Sequence, residues 1–370
     1  LLRAGIFAGM ALACKYTAGV ALLTGLVFVL WKGKNNLRAL AWNGLTFAGA
    51  ALLVMLPWFV RNMLATGNPV YPLLFESGAM TAIRKTVYQG LPAWGDWRDW
   101  LLLPWRATYL GVDGYDGYSV SLGPLLLGLG AMFWVNWQEL DEASRRMAQT
   151  AGVLALAGLV VWAVGNQVSG FLIQTRFYYP IFPAFAVLAA VGFRALDQYS
   201  RQPVRISRLA SALVLLVLGL NLVETSAEAL SRRSPQVVFG LESRDDYLTQ
   251  NLGWYYPVMQ SIQKLPEGSR ALLLYETRSY YCRPVCFPDE ILDRWRRDRI
   301  EHGSVEAVLK AWRQAGFTHL VINRSGAAFL RESGDIHSSP EDWQALDDLY
   351  SVLGTGIDFG GAYSLHTIIE

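Results

Sequence analysis

Six apolar stretches dominate this chain, and each is long enough to cross a lipid bilayer. At a rise of about 1.5 Å per residue, a helix needs roughly 20 apolar residues to traverse the hydrocarbon. The stretches at about 4–31, 39–60, 119–137, 147–166, 177–195 and 207–225 reach that length. Lipid offers no partner to an open backbone, so a spanning segment must be a helix or part of a closed barrel. Residues 1–226 therefore read as an α-helical multi-spanning membrane bundle. Charged residues make up 17% of the chain, against about a quarter in a soluble domain. A net charge of +2 is too balanced to argue for nucleic acid as a partner. The three cysteines are too few for a disulfide-dense secreted scaffold. The four histidines show no metal-ligand spacing. Neither a metal nor a cofactor is indicated.

Short cytoplasmic loops concentrate Lys and Arg. The link after the first stretch carries Lys32, Lys34 and Arg38. The link before the sixth carries Arg194, Arg201, Arg205 and Arg208 against Asp197, and the link at 138–146 carries Arg145 and Arg146. With six spans all three fall on one side, which is the cytoplasmic one. Residues 61–118, 167–175 and everything after about 226 then face outward. This is the pattern of a multi-pass cell-membrane protein with an extracytoplasmic C-terminal domain. The first stretch is long for one span, and Lys15 sits in its middle. It is either one tilted helix or two half-length helices meeting near Lys15–Gly19, and the second case moves Leu1 to the cytoplasmic side. The chain opens without Met or a signal sequence, so we read it as lacking an N-terminal part.

The outer loop holds more than a connector. Trp94, Trp97, Leu101 and Trp105 recur at helical steps, with Asp96, Arg98 and Asp99 between them. That spacing predicts a short helix near 94–109 lying on the outer membrane surface; the alternative is a cap on the bundle core. Asp113 and Asp116 form a carboxylate pair that could bind a cation or act as a base, but Asp-Gly steps are ordinary turn chemistry, and we read a turn.

Residues 227–370 read as a soluble α/β domain. Ala271–Tyr275 and Thr318–Ile322 read as buried strands. Between them, Ser304–Gly316 reads as a helix with Val305, Val308, Leu309 and Trp312 on its apolar face. Strand, helix, strand predicts a small sheet with a parallel pair. No glycine-rich phosphate loop follows the first strand. Cys282 and Cys286 could bridge only across a tight turn at Pro284, because extended chain holds their α-carbons too far apart.

Lys15 is the one charge deep in an expected span, and burying an ammonium in hydrocarbon costs at least a few kcal/mol, about 2.5 or more. Its partner would be a phosphate or a carboxylate. Arg61 and Arg176 fall at the outer face, where a guanidinium fork suits phosphate oxygens. Asn62, Asn68, Tyr71, Tyr178 and Tyr179 add hydrogen-bonding groups in the same zone. The plainer alternative is that such arginines anchor spans at the head groups.

Three of these segments resemble the multi-spanning GT-C glycosyltransferases that use lipid-linked sugars, in the branch of protein O-mannosyltransferases and the lipid A aminoarabinose transferase. Gly9–Thr17 is similar to that branch's glycine-rich span ending in Thr-Lys-Tyr, with Cys14 in place of the threonine. Leu56–Pro72 resembles its Pro-Trp…Arg-Asn…Thr-Gly-Asn-Pro…Tyr-Pro element, and Arg176–Pro180 with Pro183–Ala186 its Arg-Tyr…Pro span start. The similarity covers about residues 1–226. It implies inverting transfer of a sugar from a polyprenyl-phosphate donor to a lipid, glycan or protein acceptor on the outer face. It also implies an acidic general base in a first outer loop, which would precede Leu1, so no catalytic residue is assigned here. Lys15, Arg61 and Arg176 would serve the donor phosphate. The rival readings are a lipid-linked oligosaccharide flippase and a non-enzymatic membrane protein whose outer domain binds a partner.

Overall fold

The computed structural model describes residues 1–33, 35–89, 95–109, 123–135, 137–196 and 205–368. Asp113, Asp116, Trp94, Lys34, Asp197 and Arg201 lie outside the described residues. The chain divides into two compact units, Leu1–Gly219 and Leu220–Glu370.

The first unit begins with α1 (Leu2–Cys14), α2 (Gly19–Gly33) and α3 (Leu37–Thr66). The long first stretch is two helices. At Lys15 the backbone is extended (φ −160°, ψ 132°), and a 3-10 turn over Tyr16–Ala18 leads into α2. Gly5 lies against Phe47, and a methyl at Gly9 would stand 2.5 Å from the Ala51 carbonyl. A Gly-x-x-x-Gly spacing allows this close backbone approach. These pairs advance together, so α1 runs parallel to α3. On α2, Gly25 meets Phe47 and Gly33 meets Leu40, so that helix runs antiparallel. The two make a hairpin on α3 with Lys15 at its turn, beside the C-terminal end of α3. Asn36 caps α3 by accepting from the Arg38 and Ala39 N–H groups (3.1 Å each). Gly67, at φ 75°, ends it.

The loop helix differs from expectation. After α4 (Ala82–Gln89), α5 (Trp97–Leu101) and α6 (Leu103–Tyr109) replace one continuous helix, and they break at Leu102. Leu103 and Ala107 pack into the bundle core, while Trp97, Trp100, Leu101 and Trp105 stay exposed. Asp99 is buried and pairs with Arg106.

Next come α7 (Pro124–Val135), α8 (Glu142–Val168), two 3-10 turns, α9 (Phe182–Ala195) and α10 (Ile206–Ser231). Among the described residues, Leu37–Thr66, Glu142–Val168, Thr175–Ala195 and Ile206–Ser231 are long and apolar enough to cross a membrane. The expected span at 4–31 is represented by two shorter helices, α1 and α2. Of the expected span at 119–137, residues 119–122 and 136 lie outside the described residues, and the twelve residues of α7 reach about 18 Å. Trp162, Tyr178, Ile181 and Leu188 form the centre of the core between α8 and α9. No residue of α10 is buried.

The second unit contains α11 (Ser234–Val238), α12 (Arg244–Leu252), α13 (Tyr255–Gln263), β1 (Ala271–Leu274) and β2 (Cys286–Phe287). It continues with α14 (Arg294–His302), α15 (Val305–Gln314), β3 (His319–Asn323), α16 (Arg324–Glu332), α17 (Pro340–Leu353), β4 (Ile357–Phe359) and β5 (Tyr363–Thr367). The strands form one mixed sheet in the order β2-β1-β3-β5-β4, and β1 and β3 are the expected parallel pair. Leu272, Leu274, Leu320 and Ile322 point into a layer with Val308, Leu309, Trp312 and Leu349. Ala271, Leu273, Val321, Tyr363 and Leu365 face α13 on the other side. Burial on both faces is why β1 reads as an unbroken apolar run. The turn at 280–285 does close, and a disulfide joins Cys282 to Cys286 with their Cα atoms 5.5 Å apart.

Candidate functional site

The break at Lys15 creates the site. Tyr16, in the turn that follows, carries its hydroxyl into a three-way junction. It accepts from Asn62 Nδ2 (3.2 Å) and Trp58 Nε1 (3.3 Å) on α3 and donates to the Tyr71 carbonyl (3.1 Å). Asn62 also donates to the Pro69 carbonyl (3.3 Å). One phenol thus ties the hairpin turn to α3 and to the loop after it. Trp58 and Asn62 are one helical turn apart on α3, which is why both reach the same oxygen.

The neighbouring residues tie the hairpin to the start of α9. Lys15 Nζ donates to the Arg176 carbonyl (2.8 Å) and lies 4.6 Å from the centre of the Phe177 ring. Thr17 Oγ1 donates to the Phe177 carbonyl. The Arg176 guanidinium sits 5.4 Å from that same ring, and Arg61 lies 5.1 Å from the Trp58 ring. Aromatic faces therefore hold the three cations. Among the described residues, no carboxylate pairs with Lys15, Arg61 or Arg176. An ammonium has three donors, and Lys15 gives one to the backbone. Such unneutralised positive charge draws anions.

The structure distributes the remaining expected site residues differently. Asn68 is fully buried, and its amide is spent on its own loop. Oδ1 accepts from Val70 N–H (3.0 Å), and Nδ2 donates to the Leu73 and Phe75 carbonyls (2.8 and 3.4 Å). Tyr178 is core, stacked on Trp162 at 4.8 Å between ring centroids. Tyr179 is exposed, with its ring edge-on to Phe182. Tyr71 contributes its backbone carbonyl. Tyr16 and Thr17 are the junction residues to which the sequence assigned no site role, although they directly follow the charge that interrupts the apolar run. At the corner between α8 and α9, Ser169, Gln174 and Thr175 are buried, and Ser169 Oγ, Gln174 Oε1 and Thr175 Oγ1 have no hydrogen-bond partner among the described residues. No signal in the sequence marked that corner.

Comparison with known protein families, curated proteins and solved structures finds no match to this chain.

Proposed function

We propose that this chain is part of a membrane glycosyltransferase that moves a sugar from a polyprenyl-phosphate donor to an acceptor on the extracytoplasmic face, with inversion. The observation that carries this reading is the convergence of Lys15 and Arg176, with Arg61 joined to them through Trp58 and Tyr16, and with no carboxylate counter-charge among the described residues. A sugar leaving a lipid phosphate develops negative charge on that phosphate, and preorganised cations lower the barrier by stabilising it. Aromatic rings that hold guanidinium and ammonium groups in place reduce the reorganisation required. The Cys282–Cys286 bridge favours an oxidising compartment for the C-terminal unit, in keeping with an outward orientation. The acidic base that deprotonates the acceptor is assigned to none of the residues here.

The test is transfer activity with a panel of polyprenyl-phosphate sugars. Arg61→Ala and Arg176→Ala should each lower the rate at least about tenfold, since a charge-assisted contact contributes about 1.5–3 kcal/mol and tenfold is about 1.4. Lysine at either position should rescue only in part, because it keeps the charge and loses the fork. Full activity in both alanine variants would reduce these arginines to head-group anchors.

A further inference from the structure

The C-terminal unit holds a polar recess in a place the fold reserves for core. On β5, Ser364 and His366 stand opposite Ile322 and Leu320 of β3. Ile368, next in the same row, is 2% exposed and belongs to the apolar layer under α15 and α17. Apolar residues would complete that row. Instead Ser364 (5% exposed) and His366 (6%) occupy it, and Ser364 Oγ and both imidazole nitrogens have no hydrogen-bond partner among the described residues. Leaving buried polar atoms unpaired costs about 1–3 kcal/mol each. Three such atoms in one row need an explanation, and a ligand supplies one if there is space beside them.

The room is present. A cavity of about 470 Å³ opens over these two residues, walled by Arg324 at the start of α16, by Tyr350 and Thr355 at the end of α17, and by Asp358 on β4. That is within the roughly 300–1,000 Å³ typical of small-molecule sites. Gly356 packs closely on one side, where a methyl would stand 2.6 Å from His366 Nδ1.

The chemistry of the walls selects the ligand. Arg324 and Asp358 pair at 3.2 Å, so the recess carries no net charge. Burial, and then the charge of Arg324, push His366 below its ordinary value, leaving a neutral imidazole that offers one donor and one acceptor. Ser364, Thr355 and Tyr350 likewise each give and take a hydrogen bond. A set of groups that all donate and accept, beside a half-buried aromatic ring, is matched by adjacent hydroxyl groups on a ring with apolar C–H faces. We propose that this recess binds a neutral polyhydroxyl ligand, one sugar unit with vicinal free hydroxyls. The site stands on the C-terminal unit alone and is independent of the transferase reading.

The experiment uses the whole chain in a detergent that carries no sugar, with histidine isotopically labelled. The chain has four histidines, and His366→Gln identifies the signal of interest. Methyl α-D-glucopyranoside, methyl α-D-mannopyranoside and methyl β-D-galactopyranoside are titrated to millimolar levels, beside sodium phosphate and sodium acetate. At least one glycoside should shift the His366 signal saturably while His302 and His337 stay still. Ser364→Ala should weaken that binding about fivefold, the loss of one hydrogen bond. His366→Leu should abolish it and raise the melting temperature, because leucine completes the apolar row. If that variant fails to fold, Ser364→Ala carries the test. Three results overturn the proposal: no glycoside saturates the signal, which leaves a hydrated cavity; only phosphate or acetate does, which makes it an anion site; or folded Ser364→Ala binds as tightly as the parent.

Discussion

The Tyr16 junction makes a sharp claim, because one oxygen joins three segments. Tyr16→Phe removes that oxygen and nothing else. Trp58, 39% exposed, can turn its N–H to another partner. The side-chain amide of Asn62, a residue 6% exposed, keeps its contact to the Pro69 carbonyl, and the Tyr71 carbonyl loses its Tyr16 donor. Two ordinary hydrogen bonds at about 1 kcal/mol each, with one partly buried carbonyl left unpaired, give a loss of about 2–3 kcal/mol. Trp58→Phe, which removes an exposed donor and keeps an aromatic face for Arg61, should cost less than about 1 kcal/mol. The assay is thermal unfolding of the detergent-solubilised chain followed by tryptophan fluorescence, with Asn62→Ala completing a double-mutant cycle. The cycle should return a coupling of about 1 kcal/mol between Tyr16 and Asn62. Additive effects of Tyr16→Phe and Asn62→Ala, or a phenylalanine variant as stable as its parent, would refute the junction.

Three further outcomes are expected. A cysteine at position 36 should resist a membrane-impermeant thiol label on intact cells while a reporter fused after residue 230 is exposed outside; the reverse pattern overturns the orientation. Gly9→Val should separate α1 from α3, because its side chain meets the Ala51 backbone, and should lower the melting temperature well beyond Gly49→Val, where nothing lies nearby. In the C-terminal unit, burial pushes the Asp289 carboxyl from 3.8 up to about 6, although it accepts from the Tyr275 and Arg294 N–H groups. The folded state then holds the proton more tightly than the unfolded one, so Asp289 makes stability fall as pH rises from 3.8 to about 6. The loss is on the order of 2–3 kcal/mol, and Asp289→Asn should flatten the pH dependence in that window.

What could be read from residues alone followed the strength of the physical constraint. Lipid enforces long apolar helices, so Leu37–Thr66 and Glu142–Val168 were visible as runs. The break at Lys15 was visible as a charge, but whether the backbone bends there depends on packing against α3, and that left two readings open. Strands β1 and β3 announced themselves because they are buried on both faces. Polar residues were harder. Asn68 and Tyr178 have the chemistry of ligand groups, and only burial and partners assign one to its own loop and the other to the core. Tyr16 stands inside the Gly9–Thr17 segment, but an aromatic there does not show which segments its hydroxyl will join. The Ser364–His366 pair looks like the solvent side of an alternating strand until the register with β3 turns it inward. The interfacial helix was expected from a tryptophan stripe, yet Leu103 and Ala107, outside that stripe, are the residues that enter the core.

In the proposed function, Lys15, Arg61 and Arg176 hold a lipid phosphate. Native mass spectrometry can compare a long-chain polyprenyl phosphate with the matching polyprenol, for the parent chain and for Lys15→Ala/Arg61→Ala/Arg176→Ala. The parent should prefer the phosphate at least about tenfold, the equivalent of about 1.4 kcal/mol. The triple variant should lose that preference while still binding the alcohol. Equal binding of the two lipids by the parent, or an undiminished preference in the folded triple variant, would contradict the assignment of these residues to a donor phosphate.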